Sequence, residues 1–273
     1  MKNSNLLHSA SKKITKIIEF DKMEIDNPVY YHPQKLAYMD RINYIINYIK
    51  KIYIPTNTRI AEFGCAQANM SLLLAQEGYE TYAIDIEKEF LEYSKLKYEY
   101  GKITWILSNV EELSLEKKFD VIILGEVIEH CAYPEEIIKN ITDFLKVNGV
   151  LIITTPNGSR IRTKLKTFTH FKEPAKRKEF EQFQFGPDGD NHLFLFTLNE
   201  LSLIIPGNLK LISKGYLGST ILFSYLYKLR NIFPNNLVKY NTLLKIIRGL
   251  SHMYIFNKLT FNNIFIILKK INS

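Results

Sequence analysis

Two groups of residues in this 273-residue chain have the types and spacing to do chemistry. The first is a bare turn followed at a distance by a carboxylate. Arg59-Ile60-Ala61-Glu62-Phe63-Gly64-Cys65-Ala66-Gln67-Ala68-Asn69-Met70-Ser71 passes from a short apolar run through small residues into the helical pattern of Leu72, Leu73, Leu74 and Ala75. A strand, a tight turn and a helix N-terminus bring backbone N–H donors and the positive end of a helix dipole to one point, which suits the polar end of a nucleotide-like ligand. Small side chains at Gly64, Ala66 and Ala68 let such a ligand approach the backbone. Thr81-Tyr82-Ala83-Ile84-Asp85 then ends in a carboxylate about 20 residues further on, where dinucleotide folds place the acid that holds ribose hydroxyls. An ordinary βα connection and a dehydrogenase site both remain compatible with these residues. The second group is titratable: Glu126, Glu129, His130, His170, Asp188, Asp190 and His192 can move protons or orient a polar acceptor.

Elements of alternating type must position these groups. Leu36, Met39, Ile42, Ile45, Ile46 and Ile49 repeat at helical spacing and predict a helix from about Gln34 to Tyr53. The strand at Ile60–Phe63 and the helix over Leu72–Ala75 follow, with Gly78 as a stop. The strand ending at Asp85 leads to a helix over about Glu89–Tyr100 and strands over Trp105–Ser108 and Phe119–Leu124. Pro134, with Glu135 and Glu136 behind it, opens another helix, and Asn148-Gly149 turns the chain into a strand over Val150–Thr154. This alternation predicts a parallel sheet with helices on both faces. Residues 157–192 interrupt it with an insertion rich in Lys, Arg and Phe. Thr197-Leu198-Asn199-Glu200 has the form of a capping box opening a short helix. Strands over Leu209–Tyr216 and Asn263–Lys269 would close the sheet. Between them, Tyr240, Leu243, Leu244 and Ile247 share a face that packs on the domain or lies on a membrane surface.

In order and spacing, three segments resemble the class I S-adenosylmethionine-dependent methyltransferases, over about residues 36–216. They are Trp105-Ile106-Leu107-Ser108-Asn109-Val110-Glu111-Glu112-Leu113, then Phe119-Asp120-Val121-Ile122-Ile123-Leu124-Gly125-Glu126-Val127-Ile128-Glu129-His130, and then Phe144 through Asn157. Within that family the chain looks most like bacterial stand-alone enzymes with an E-x-x-E-H segment after the fourth strand. The resemblance implies a Rossmann-like α/β fold: a seven-stranded sheet of order 3-2-1-4-5-7-6 with the last strand antiparallel, helices on both faces and a small cap. It divides the chain into an N-terminal arm or lid (1–33), a cofactor-binding core (34–156), a basic cap (157–192) and a C-terminal completion of the sheet carrying a helical insertion (193–273).

The implied cofactor is S-adenosyl-L-methionine, leaving as S-adenosyl-L-homocysteine. By position in the motif, the backbone at Gly64 and Ala66 would face the methionine moiety and ribose. Glu62 would orient that loop or reach the amino group, Asp85 would accept both ribose hydroxyls, and Ile86 would pack on the adenine. Asn109 would bond the adenine edge with the Val110 N–H beside it, while Gly125 and Glu126 would lie under the methionine tail. Two positions depart from the family: Ala68 replaces a turn glycine and is harmless only at negative φ, and Asn109 replaces an acid. His130, with Glu129, is the expected catalytic group, as general base or acceptor-orienting residue, though it could simply shape the pocket. Tyr30 and His32 on the arm, and Asp190 and His192 closing the insertion, are the expected substrate contacts. Glu126, Glu129 and His130 match the letters that some relatives use for Mg²⁺, yet no bound metal is expected.

Composition bounds the rest. A hydrophobic content of 46% supports one large α/β domain with a cap. No apolar run approaches the roughly 20 residues of a membrane span, and Met1-Lys2-Asn3-Ser4 opens no apolar signal segment. Cys65 and Cys131 form no zinc or redox motif, so a reduced, cytoplasmic setting is expected. The net charge of +8 is concentrated in Arg160, Arg162, Lys164, Lys166, Lys172, Lys176, Arg177 and Lys178. Such a cluster attracts anionic ligands or an anionic membrane surface, or is a solvated face. The leading expectation is methyl transfer to an oxygen of a small or medium acceptor, such as a sugar, a quinone or lipid precursor or another metabolite, and the basic cluster would suit an anionic one. An RNA 2′-O-methyltransferase using Phe168, Phe171, Phe180 and Phe183 to stack bases, and a catalytically silent binding protein of the same fold, are the alternatives.

Overall fold

The computed structural model describes residues 12–25, 32–110, 113–161, 163–184, 192–220 and 258–271. Its centre is one seven-stranded sheet of order β3-β2-β1-β4-β5-β7-β6. The strands are β1 (Arg59–Phe63), β2 (Glu80–Asp85), β3 (Lys102–Leu107), β4 (Phe119–Gly125), β5 (Leu145–Pro156), β6 (Leu209–Thr220) and β7 (Phe261–Lys270). The first five are mutually parallel, and β7 inserts antiparallel between β5 and β6. The strand order follows the expectation. Strands β6 and β7 run longer than their apolar runs because their antiparallel pairing extends beyond the residues buried on both faces, and β5 begins earlier, at Leu145, where it pairs in parallel with Phe119 of β4.

The side-chain alternation of each strand sorts the core into two layers. Ala61, Phe63, Ile122, Leu124, Leu151, Ile153, Ile264 and Ile266 face one side, against Ile137, Ile138 and Ile141 of α5 (Pro134–Asp143) and Leu201 of α6 (Leu198–Leu203). Ile60, Val121, Ile123, Val150, Ile152 and Ile267 face the other. They meet Ile45 and Ile49 of α2 (Pro33–Ile52) and Met70 and Leu74 of α3 (Asn69–Gln76). Leu91 of α4 (Lys88–Lys97) packs on Ala68 and Ala83 on this second side. Thr197 accepts from the Glu200 N–H and Glu200 accepts from the Thr197 N–H, so the predicted capping box opens α6.

The arm contains a helix, α1 (Lys12–Glu24), that lies across α2 and α4. One buried carboxylate fastens it. Asp21 accepts from Asn69 Nδ2 at 2.7 Å, Lys97 Nζ at 2.9 Å and the Tyr93 hydroxyl at 3.0 Å. Asn69 also donates to the Tyr38 hydroxyl at 2.8 Å. α1 is thereby tied to the first residue of α3, directly behind the turn of the candidate site.

The described part of 157–192 does not stand off as a free basic face. Phe168 stacks on Phe196, and Phe171 and Phe180 pack edge-on to each other beside Phe194, all within the α5-side core. Arg177 is 1% exposed, forks onto Glu135 at 2.6 and 2.8 Å and lies over the rings of Tyr133 and Phe168. Of the four phenylalanines expected to stack bases, Phe168 is a core residue, Phe171 and Phe180 pack partly buried against the core, and only Phe183 is mainly exposed. Lys164, Lys166, Lys172, Lys176 and Lys178 do reach solvent. The amphipathic segment around Tyr240–Ile247 lies outside the described residues. Among the described residues no helix is long and apolar enough to cross a membrane.

Candidate functional site

The turn after β1 is built from left-handed residues. Gly64 (φ 68°), Ala66 (φ 44°) and Ala68 (φ 52°) all have positive φ. The sequence reading allowed Ala68 at negative φ, and the structure corrects it. Both alanines carry the steric penalty of about 1–2 kcal/mol that glycine avoids. A Cβ on Gly64 would collide with the Val127 side chain, so at this position only glycine fits. The Gly64 and Cys65 N–H groups both donate to the Ile84 carbonyl, which pins the turn to β2.

Two buried carboxyls hold this turn. Glu62 points to the α3 side, where its Oε2 accepts from Ser71 N–H at 3.0 Å and from the Ser71 hydroxyl at 2.5 Å. Asp85, 6% exposed, accepts from Ala66 N–H at 2.7 Å and Glu87 N–H at 2.9 Å. Burial pushes Glu62 up to about 7 and Asp85 up to about 6, against hydrogen bonds that favour the ionised forms. A carboxylate offers about four lone-pair directions, so Asp85 can hold the turn and still accept from a diol.

These residues open on a single cavity of about 560 Å³. Its wall includes all nine positions expected to meet the cofactor: Glu62, Gly64, Ala66, Asp85, Ile86, Asn109, Val110, Gly125 and Glu126. Phe20 and Glu24 of α1 close one side, and Ala37, Tyr38, Arg41 and Ile45 of α2 another. Glu24 is pushed up to about 7 by burial, against the pull of the Arg41 guanidinium. Arg41 pairs with Glu126 at 3.2 Å and lies over the Tyr38 ring. Asn263 of β7 donates to the other oxygen of Glu126 at 2.6 Å. Glu126 itself has φ 58°, a backbone conformation that is costly for a non-glycine residue and concentrated at functional sites.

The far end of the cavity is lined by His130, Thr154, Arg160, His192, Asn262 and Asn263. Val127 and Ile128 bury the start of the short turn that presents His130, while Glu129 is 0% exposed behind it. Thr155 donates to Glu129 Oε2 at 2.9 Å, and Glu129 Oε1 has no hydrogen-bond partner. That oxygen lies 3.9 Å from His130 Nε2 and 4.0 Å from His192 Nε2, and the two rings meet edge-on at 4.8 Å. Burial and the neighbouring Glu126 push the Glu129 carboxyl well above the carboxylate range.

Among the described residues, the group able to hold a cation is Glu129, His130 and His192, with ligand atoms within 4.8 Å of one another. It differs from the Glu126, Glu129 and His130 set suggested by the sequence letters, because Glu126 is committed to Arg41 and Asn263. An unpartnered buried carboxylate oxygen facing two imidazoles fits a divalent cation. One oxygen and two nitrogens suit a transition ion better than Mg²⁺.

Of the expected substrate contacts, His192 reaches the cavity. His32 occupies the cap position before α2 and is half-buried, while its neighbours Pro33 and Gln34 line the wall. Tyr30 and Asp190 lie outside the described residues. Arg41, Glu24, Arg160 and Asn263 were missed. Arg41 left one signal: it interrupts the apolar face of α2 at helical spacing with Tyr38, Ile42 and Ile45, where a charge needs a buried partner.

Residues 61–153 match the methyltransferase domain family. The ubiquinone biosynthesis O-methyltransferase of Rickettsia prowazekii is 35% identical over 123 residues, 44% of this chain and 49% of that protein. The chain thus spans about half the length of the curated relatives it matches. Among solved structures, a Synechocystis magnesium protoporphyrin IX methyltransferase with bound S-adenosylhomocysteine superimposes with a TM-score of 0.56 at 12% identity, over 94% of each chain. A Haemonchus contortus phosphoethanolamine N-methyltransferase in complex with S-adenosylmethionine gives 0.59 at 16% identity, over 98% of this chain and 60% of that one. With the sheet order and the turn after β1, these matches show that residues 61–153 resemble a methyltransferase domain and that the described chain has the fold of the solved methyltransferases.

Proposed function

We propose that this protein transfers the methyl group of S-adenosylmethionine to a hydroxyl of a small acceptor, a quinone precursor being the type favoured by the curated relatives. The observation that carries the reading is the continuity of one cavity. It runs from the bare turn and Asp85, over Gly125, to His130 and His192. The adenosyl end would lie over β1, β2 and the Asn109 loop, and the methionine tail over Gly125 towards Arg41. The methyl would then point to the imidazole end.

Methyl transfer from a sulfonium is an in-line displacement with a neutral leaving group, so alignment and water exclusion are the main demands. The α1 latch and the apolar wall from Phe20 and Ile45 meet the second. A hydroxyl acceptor must also lose its proton, and His130 is the group on the cavity wall able to take it. Glu129 is buried behind both imidazoles, and because its carboxyl is pushed well above the carboxylate range it gives them a protonatable neighbour and not a fixed negative charge. A divalent cation held by Glu129, His130 and His192 would instead supply a Lewis acid for the acceptor oxygen, His130 then serving as a ligand and not as the base.

Calorimetric titration with S-adenosylhomocysteine tests the cofactor half of this reading. Micromolar affinity is expected, and the absence of heat with S-adenosylhomocysteine would leave a fold without the activity. Transfer of label from methyl-labelled S-adenosylmethionine to 3,4-dihydroxybenzoate, against an amine acceptor such as phosphoethanolamine, tests the oxygen preference. Methylation of the amine alone would overturn it.

A further inference from the structure

We propose that Arg160 anchors the acceptor, by receiving an acidic group, a carboxylate or a phosphate monoester, carried by the same molecule whose hydroxyl is methylated. The inference rests on reading the cavity as a methyl-transfer site, and it adds the chemical class of what enters.

Charge balance along the wall points to this residue. Two arginines line the cavity. Arg41 is neutralised by Glu126. Among the described residues no carboxylate pairs with Arg160: its guanidinium donates to the amide oxygen of Asn262, and its Nε is buried with no hydrogen-bond partner. Partial burial lowers its pKa, the behaviour of a cation that has lost water and gained only a neutral amide in exchange. The buried arginine of the insertion, Arg177, shows the contrasting case, since Glu135 takes its fork.

Its location fits an acceptor and not the cofactor. Arg160 follows β5, and its backbone is fixed by its N–H donating to the Asn157 carbonyl at 3.2 Å. The Asn157 N–H in turn donates to the Asn262 carbonyl at 2.8 Å, so Arg160 sits over the β5–β7 pair. The nucleoside-binding residues lie over β1, β2 and β3, on the opposite side of β4. His130 and His192 stand between the two. An acceptor with its hydroxyl at the imidazoles and its acid on Arg160 would therefore extend away from the cofactor. A planar guanidinium with free N–H groups matches either anion in a forked geometry.

The test uses the full chain loaded with S-adenosylhomocysteine, with benzoate, phenyl phosphate and neutral benzamide as probes in thermal-shift and calorimetric titrations. Benzoate or phenyl phosphate is expected to bind the wild type, and the tighter of the two identifies the acid. Benzamide is expected to bind at least 10-fold more weakly than that acid. Arg160→Gln should weaken the acid by about 10- to 100-fold while S-adenosylhomocysteine binds as in the wild type, and Arg160→Lys should restore part of the loss. Equal affinity for benzamide, undiminished binding of the acid by Arg160→Gln, or no acid binding by the loaded wild type would each overturn the proposal. Loss of S-adenosylhomocysteine binding in Arg160→Gln would move the residue to the cofactor and overturn it as well. A wild type that takes the acid but not S-adenosylhomocysteine would keep the anion site and remove the methyl-transfer reading.

Discussion

At the residue scale the site is a set of carboxyls whose charge is kept in check by burial. Burial pushes the Asp85 carboxyl up to about 6. Ribose hydroxyls donate more strongly to the ionised form, so cofactor binding must draw off the proton. S-adenosylhomocysteine should thus bind about tenfold more weakly near pH 5 than near pH 7.5. Asp85→Asn should bind at least tenfold more weakly at neutral pH and show a flatter profile in the same titration. A profile identical to that of the wild type would assign the pH limb elsewhere. His130→Ala should lower turnover by about 100-fold or more while the S-adenosylhomocysteine dissociation constant changes less than about threefold. Equal losses in both would make His130 a structural residue.

At the scale of elements, two devices shape the end of the cavity where the cofactor is expected: the strained turn and the latched helix. Ala66 is half-buried at φ 44°, so Ala66→Gly relieves backbone strain at little packing cost. The gain, partly offset by the freedom glycine adds to the unfolded chain, is expected to be up to about 1 kcal/mol. Urea denaturation measures it, and a destabilised variant would mean the methyl group packs more than it strains. The α1 helix depends on Asp21, whose loss leaves Lys97 and Asn69 without their shared acceptor. Asp21→Ala should speed S-adenosylhomocysteine release in stopped-flow experiments and raise amide exchange over Lys12–Glu24 by tenfold or more. Unchanged exchange would show that apolar contacts alone hold α1 down.

At the scale of the whole molecule, the cofactor cavity is walled by elements from both ends of the chain. Phe20 comes from α1, Asp85 from β2, Gly125 from β4 and Asn263 from β7. A ligand bridging them binds the folded state alone, so S-adenosylhomocysteine at 100 times its dissociation constant should stabilise the protein by about 2.7 kcal/mol. Calorimetric melting with and without ligand checks this. A shift confined to one of two transitions would mean that the arm and the core unfold separately.

What the sequence determined by itself follows from local periodicity and short motifs. Alternation of apolar runs with helical faces dictates a parallel sheet, and the turn at Gly64 with Asp85 following it dictates where a nucleoside can sit. All nine expected cofactor positions lie on one wall for that reason. The positive φ of Ala66 and Ala68 was hidden, because a backbone angle depends on how β1, β2 and α3 meet. Pairings between distant segments were equally out of reach. Glu126 turns to Arg41 and Asn263 instead of joining Glu129, and His192 takes its place beside His130. Three aromatics of the basic insertion pack in or against the core, and Arg160 comes to the cavity with an amide for company. Charge and hydrophobicity state what each residue prefers, but which buried charge finds a partner, and which is left waiting for one, is decided only when the strands are laid side by side.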